Sequence, residues 1–243
     1  MNADDIQENA AYRRATQSAL SVLFEGESCV VIDKPAWLLV HSSAFAGPKE
    51  RTVMDLVREQ LGEGLAPVHR LDRQTSGALV LARDGAAARA WQEALAHRES
   101  DKRYLALVRG CVKAPIAVDH ALKDEDGTPR DAQSHIDPVC WREGEARSSL
   151  VEVRIFTGRM HQVRRHCKHV SHPVLGDSNY GKQPLNRWFR AHFGLERMAL
   201  HARSITLVRE DTGERVDVRA PMPAELASVC ERLYGEAERA RWA

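Results

Sequence analysis

Short strand-like runs fill much of this sequence, and helices interrupt them irregularly instead of in a βαβ rhythm. Cys29-Val30-Val31-Ile32 is an apolar run that Asp33-Lys34-Pro35 ends at a turn. Ala78–Ala82, after Gly77, and Tyr104–Val108 read as buried strands, while Val151, Val153 and Ile155 alternate with polar neighbours. His201–Val208 alternates in the same way, and Asp211-Thr212-Gly213-Glu214 turns the chain so that Val216 and Val218 face inward on the return strand. Helical signals lie between these runs. Thr52 is an N-cap with Asp55 at the capping-box position, Val53, Leu56, Val57 and Leu61 share a face, and Gly62 and Gly64 end the helix. The alanine-rich stretch 85–98 presents Trp91 and Leu95 to a core, residues 160–171 form a helix, and Pro223 opens a last helix through Leu233. Residues 113–138 are expected to form loops and short strands. With no repeat and no regular βαβ order, the pattern predicts an α+β fold on a largely antiparallel mixed sheet flanked by helices and loops.

Composition excludes several classes of function. The net charge of +1 gives no general basic field, so any nucleic-acid site must be a local patch. Five scattered cysteines without a CxxC pair fit reduced thiols better than a disulfide framework. The polar start lacks a signal-peptide core and no apolar run could span a bilayer, which predicts a cytoplasmic protein.

Two segments concentrate chemistry. In His69-Arg70-Leu71-Asp72-Arg73-Gln74-Thr75-Ser76-Gly77 a carboxylate stands between two arginines, which favour its ionised form. A persistently ionised carboxylate suits a nucleophile; the same charge pattern also suits an ordinary surface ion pair. Gly158-Arg159-Met160-His161-Gln162-Val163-Arg164-Arg165-His166-Cys167-Lys168-His169 gathers cations as no other stretch does. On a helix, His161, Arg164, Arg165 and Lys168 would form a face apart from Val163, Cys167 and Val170, either to bind phosphate or simply to meet solvent. No zincin spacing or interleaved acid supports a metal site there, and no Gly-rich phosphate loop occurs, so neither metal nor cofactor is expected.

Taken together, HRLDRQTSG at 69–77, KRYLALVRG at 102–110, GRMHQVRRH at 158–166, HPVLGDSNYG at 172–181 and LHA at 200–202 resemble the RluA-type pseudouridine synthases. The resemblance runs from about Leu23 to Leu226. It implies one catalytic domain over residues 21–243, after a flexible or helical lead-in at 1–20 that is too short for an S4-type RNA-binding domain. It gives Asp72 the nucleophile's role, Arg164 that of its partner, Tyr104 that of the active-site tyrosine and Leu200 a place beside the target base. Arg70 matches a residue that helps open RNA around a flipped base. His69, Arg73, Arg159, His161, Gln162 and Arg165 are the further residues expected to meet RNA. The implied reaction isomerises uridine to pseudouridine.

The stretch Asn186–Arg197 and the doubled arginine Arg164-Arg165 resemble most the tRNA branch of the family, which acts at position 65 in the acceptor-stem region. Gln74 and the loosely matching 113–147 depart from that branch, and ribosomal RNA is the alternative substrate. A catalytically silent RNA-binding protein would not need Asp72, Tyr104 and Arg164 together. A glycosidase-type hydrolase would need a second carboxyl group, which the matched motifs lack. The expected partner is RNA, bound by a monomer.

Overall fold

A computed structural model describes residues 10–42, 50–97 and 99–242. The chain begins with helix α1 (Ala10–Gln17), strands β1 (Ser21–Glu25) and β2 (Cys29–Lys34), helix α2 (Val53–Leu61), β3 (Ala66–Pro67), β4 (Ser76–Ala82) and α3 (Gly85–Ala96). It continues through β5 (Asp101–Arg109), β6 (Ile116–Asp119), β7 (Leu122–Lys123), β8 (Pro129–Arg130), β9 (Gln133–Arg142) and β10 (Ser148–Ile155). Helices α4 (Gln162–His169) and α5 (Gln183–Phe193), strands β11 (Leu200–Val208) and β12 (Arg215–Arg219) and helix α6 (Ala224–Tyr234) follow, then a 3-10 segment over Glu236–Arg241. This is the expected α+β fold on antiparallel strands. Of the lead-in, the part at Ala10–Gln17 is helical, and residues 1–9 lie outside the described residues.

The chain divides into two compact units, Met1–Glu99 with Ile205–Ala220, and Ser100–Ser204 with Pro221–Ala243. In the first unit β2 pairs with β1 and with β4, from Cys29 opposite Ala82 to Lys34 opposite Gly77. The inward residues Cys29, Val31, Val80 and Ala82 pack with Ala87, Trp91 and Ala94 of α3 and with Ile205, Leu207, Val216 and Val218. The Trp91 indole is fully buried, and its Nε1 donates to Ser28 Oγ at 2.9 Å. Helix α2 begins as the sequence predicts. Thr52 Oγ1 accepts from the Asp55 amide, and the Asp55 carboxylate accepts from the Thr52 amide at 2.8 Å.

In the second unit β10 pairs with β5 and with β9, and β9 pairs with β6. Here the structure is more regular than the sequence suggests, since residues 133–138, expected to be loops and short strands, open the ten-residue β9. The cause is Pro138, which breaks the apolar alternation but is accommodated where the register shifts between Leu150 and Val151. Ala106, Val108, Ile136, Val151, Val153, Val163, Cys167 and Leu200 form one core cluster. Leu107, Leu175, Phe189, Leu226, Val229 and Leu233 form another, which brings α5 and α6 into the core. Four of the five free cysteines are buried and pack as small hydrophobes, and burial pushes the Cys167 thiol up to about 12.

Candidate active site

In the first unit, Asp72 is half-buried on a loop whose backbone is fixed from several sides. The Thr75 amide donates to the Asp72 carbonyl at 3.0 Å, and His69 Nε2 accepts from the Val80 amide of β4 at 3.2 Å. That bond requires the Nδ1–H tautomer of a neutral imidazole. Lys34, at the end of β2, is completely buried. Its ammonium donates to the carbonyls of Pro35 at 2.7 Å, Thr75 at 2.8 Å and Arg73 at 3.3 Å. A buried cation is tolerable only when its donors are satisfied, and these carbonyls satisfy them while tying down the turn that follows Asp72. Arg73, expected to meet RNA, instead forms an ion pair with the buried carboxylate of Glu50. Arg70 is exposed.

In the second unit, α4 carries the basic segment, and the structure divides its cations differently from a helical wheel. Arg164 does not join an exposed face: it is buried, and Asp177 holds it from two directions. Its Nε donates to Asp177 Oδ2 at 2.7 Å and its Nη2 to Asp177 Oδ1 at 2.9 Å. Burial pushes the Asp177 carboxyl up. The hydrogen bonds and charge of Arg164, with the amides of Tyr180 and Asn179, outweigh it and leave the group below the ordinary carboxylate range. Gly176 makes this arrangement possible. At φ +79° it runs against the backbone of Arg197, where a Cβ would collide with the Arg197 carbonyl. Asn186 completes the clasp, accepting from the Gly176 amide at 3.0 Å and donating to the Asp177 carbonyl at 2.8 Å.

Tyr180 covers this ion pair. Its ring lies 5.0 Å from the Arg164 guanidinium and 5.6 Å from the Lys168 ammonium, and its hydroxyl lies 3.1 Å from His161 Nδ1. His161 is not within the helix, as the spacing suggested; it is the residue before it, in a left-handed conformation at φ 54°. Gln162, expected at the RNA surface, uses its amide inside the protein. Its Oε1 accepts from Thr157 Oγ1 and the Arg159 amide, and its Nε2 donates to the Gln133 carbonyl and Ser134 Oγ. It therefore shapes the loop that opens α4. Arg159 is exposed and Arg165 half-exposed. Tyr104 packs against the core cluster that contains Leu200, so these two expected site residues lie in one apolar neighbourhood.

Lys34, Asp177, Tyr180 and Asn186 have structural roles that no reading of local sequence assigned. A lysine closing β2 just past the apolar run Cys29-Val30-Val31-Ile32 was the available signal for the first. For Asp177 and Tyr180 the signal was the polar GDSNYG segment directly after apolar Pro173-Val174-Leu175, and Asn186 had no local signal. Among the described residues no helix is long and apolar enough to cross a membrane, and no group of three His, Cys, Asp or Glu side chains could hold a metal ion.

An antiparallel α+β fold that presents a clamped aspartate loop and a buried arginine–aspartate clasp defines the class of protein. The family of RNA pseudouridylate synthases matches residues 28–169, and this chain belongs to it. The chain is 36% identical to a tRNA pseudouridine synthase C of Yersinia pestis over 83% of its own length and 86% of that protein. A tRNA pseudouridine synthase C of Vibrio vulnificus (strain CMCP6) is 34% identical, with 92% of this chain and 96% of the relative covered. The chain spans 61% of a further such relative, from Pectobacterium carotovorum subsp. carotovorum, at 35% identity over 86% of this chain. Among solved structures it is similar to human RNA pseudouridylate synthase domain containing 1, with a TM-score of 0.68, 27% identity and 84% of each chain covered. Human RNA pseudouridylate synthase domain containing 4 shares the fold, with a TM-score of 0.70 at 24% identity over 94% of this chain and 97% of that one.

Proposed function

We propose that this chain isomerises a uridine of tRNA to pseudouridine, with Asp72 as the nucleophile. The observation that carries the reading is the Asp72 loop: a carboxylate flanked by arginines, in a segment matched to the family, with its backbone immobilised by a buried ammonium. Such fixation suits a group that must meet its target in one geometry, because positioning removes entropy from the barrier. The reaction is a net isomerisation. The bond between the ribose C1′ and uracil N1 breaks, the ring turns, a bond from C1′ to C5 forms, and C5 loses a proton while N1 gains one. Asp72 initiates the first step. Arg164, Tyr104 and Leu200 keep the roles of aspartate partner, active-site tyrosine and apolar neighbour of the base that the resemblance gives them. Arg70, on the exposed part of its loop, enters the space left by the extruded nucleotide.

The tRNA substrate is supported by the names of the relatives that match over most of this chain. Position 65 is the site we infer, and we infer that the enzyme works as a cytoplasmic monomer. The test is pseudouridine mapping at single-nucleotide resolution on total RNA from cells with and without the gene. Loss of the tRNA position-65 signal supports the reading. An unchanged tRNA map together with a lost ribosomal RNA site overturns the substrate assignment, and an unchanged map throughout overturns the activity.

A further inference from the structure

Two of the large apolar side chains left exposed by the fold, Phe156 and Met160, lie four positions apart on the loop between β10 and α4, at 42% and 43% exposure. Phe156 is held in place from its backbone, where its amide donates to the Gln133 carbonyl at 3.0 Å. Its ring is backed by a cation, with the Arg154 guanidinium 4.9 Å from the centroid. Arg154 is fixed in turn, since its Nε sits 2.7 Å from the Asp101 carboxylate, which also binds Arg103. Arg159 and Arg165 flank the same loop, and their hydrogen bonds run to the backbone carbonyls of Asp131 and Met160. No carboxylate neutralises either guanidinium through those bonds. A ring exposed at the surface, supported by a fixed cation and flanked by further positive charge, is the arrangement on which unpaired nucleobases stack while phosphates meet the cations. A protein partner would instead favour a larger continuous apolar patch, and here Gly158 and Arg159 interrupt it.

We propose that Phe156 is a stacking platform for an unpaired base of the RNA substrate, with Arg154 behind the ring and Arg159 and Arg165 on the adjacent backbone phosphates. The proposal rests on the reading of the chain as an RNA-modifying enzyme and adds a binding site outside the reacting residues. It is tested by measuring the affinity of the full chain for an unmodified tRNA transcript, together with the single-turnover rate at saturating RNA. Phe156→Ala is expected to weaken binding about 5- to 150-fold, the range that loss of one stacked base produces, with the saturated rate unchanged. Phe156→Leu keeps apolar bulk without a π-face and is expected to weaken binding as well, whereas Phe156→Trp should retain it and show tryptophan quenching on RNA addition. Wild-type affinity in both Phe156→Ala and Phe156→Leu, with the parent enzyme binding and converting tRNA, overturns the platform and leaves the function standing. A parent chain that neither binds nor converts RNA overturns the underlying reading instead.

Discussion

Asp177 and Arg164 show how much one residue pair can determine. Each is buried, so removing either charge leaves the other without its counter-ion in a medium that solvates it poorly. Asp177→Asn is therefore expected to cost about 3–5 kcal/mol of stability, the usual penalty for breaking a buried pair, and to reduce activity by displacing Arg164. Arg165→Ala, which removes a half-exposed side chain, should leave the melting temperature almost unchanged and weaken RNA binding instead. Equal loss of melting temperature in the two variants would remove the distinction. The pair also gives a pH dependence. The Asp177 carboxyl lies below its ordinary range in the folded chain, so its contribution is complete above the unfolded carboxylate value and is lost as pH falls through the folded one. Acid titration of stability should show a component below about pH 4 that Asp177→Asn lacks. Asp72→Asn is the complementary case at the same scale. It is expected to abolish pseudouridine formation with RNA affinity nearly unchanged, because a nucleophile contributes to the chemical step and not to ground-state binding. Turnover by the purified variant, with contaminating enzyme excluded, would end the assignment.

At the scale of elements, the order of strands and helices was largely legible and their joints were not. Helix α2 is bounded where Thr52, Asp55 and Gly62 place its ends, because caps are local chemistry. Helix α5 was not assigned from the sequence. Its polar and aromatic residues mix on a short segment, and only packing of Phe189 among Leu175, Leu195 and Leu226 identifies its inner face. The joint between β2 and the Asp72 loop depends on Lys34, whose ammonium serves carbonyls about forty residues away in sequence. Lys34→Met keeps the apolar stem and removes the donors, so buried carbonyls lose their partner, at about 1–3 kcal/mol for each group left unsatisfied. We expect a lower melting temperature and slower pseudouridine formation. If the variant melts as the parent does, Lys34 is not what holds the turn.

For the molecule as a whole, a net charge of +1 requires that RNA affinity come from a limited set of cations. Binding should still fall linearly on a log–log plot against salt, with a slope set by the few phosphates contacted and less steep than for a broadly basic protein. Activity is expected to survive exhaustive chelation and to need no added nucleotide or flavin. Rescue of chelated, inactive enzyme by zinc would contradict this. The sequence by itself determined the α+β class, the antiparallel pairing, most element positions and the two motif segments that fall within the match to the family, because hydrophobic period, caps and turn residues act over a few residues. Tertiary structure decided which charges are available. Arg164 is buried and oriented by Asp177, Arg73 is engaged by Glu50, the Gln162 amide is used internally, and Arg159 and Arg165 remain near solvent. Burial and ion pairing depend on partners distant in sequence, and local spacing carries no record of which partner a charged side chain will meet.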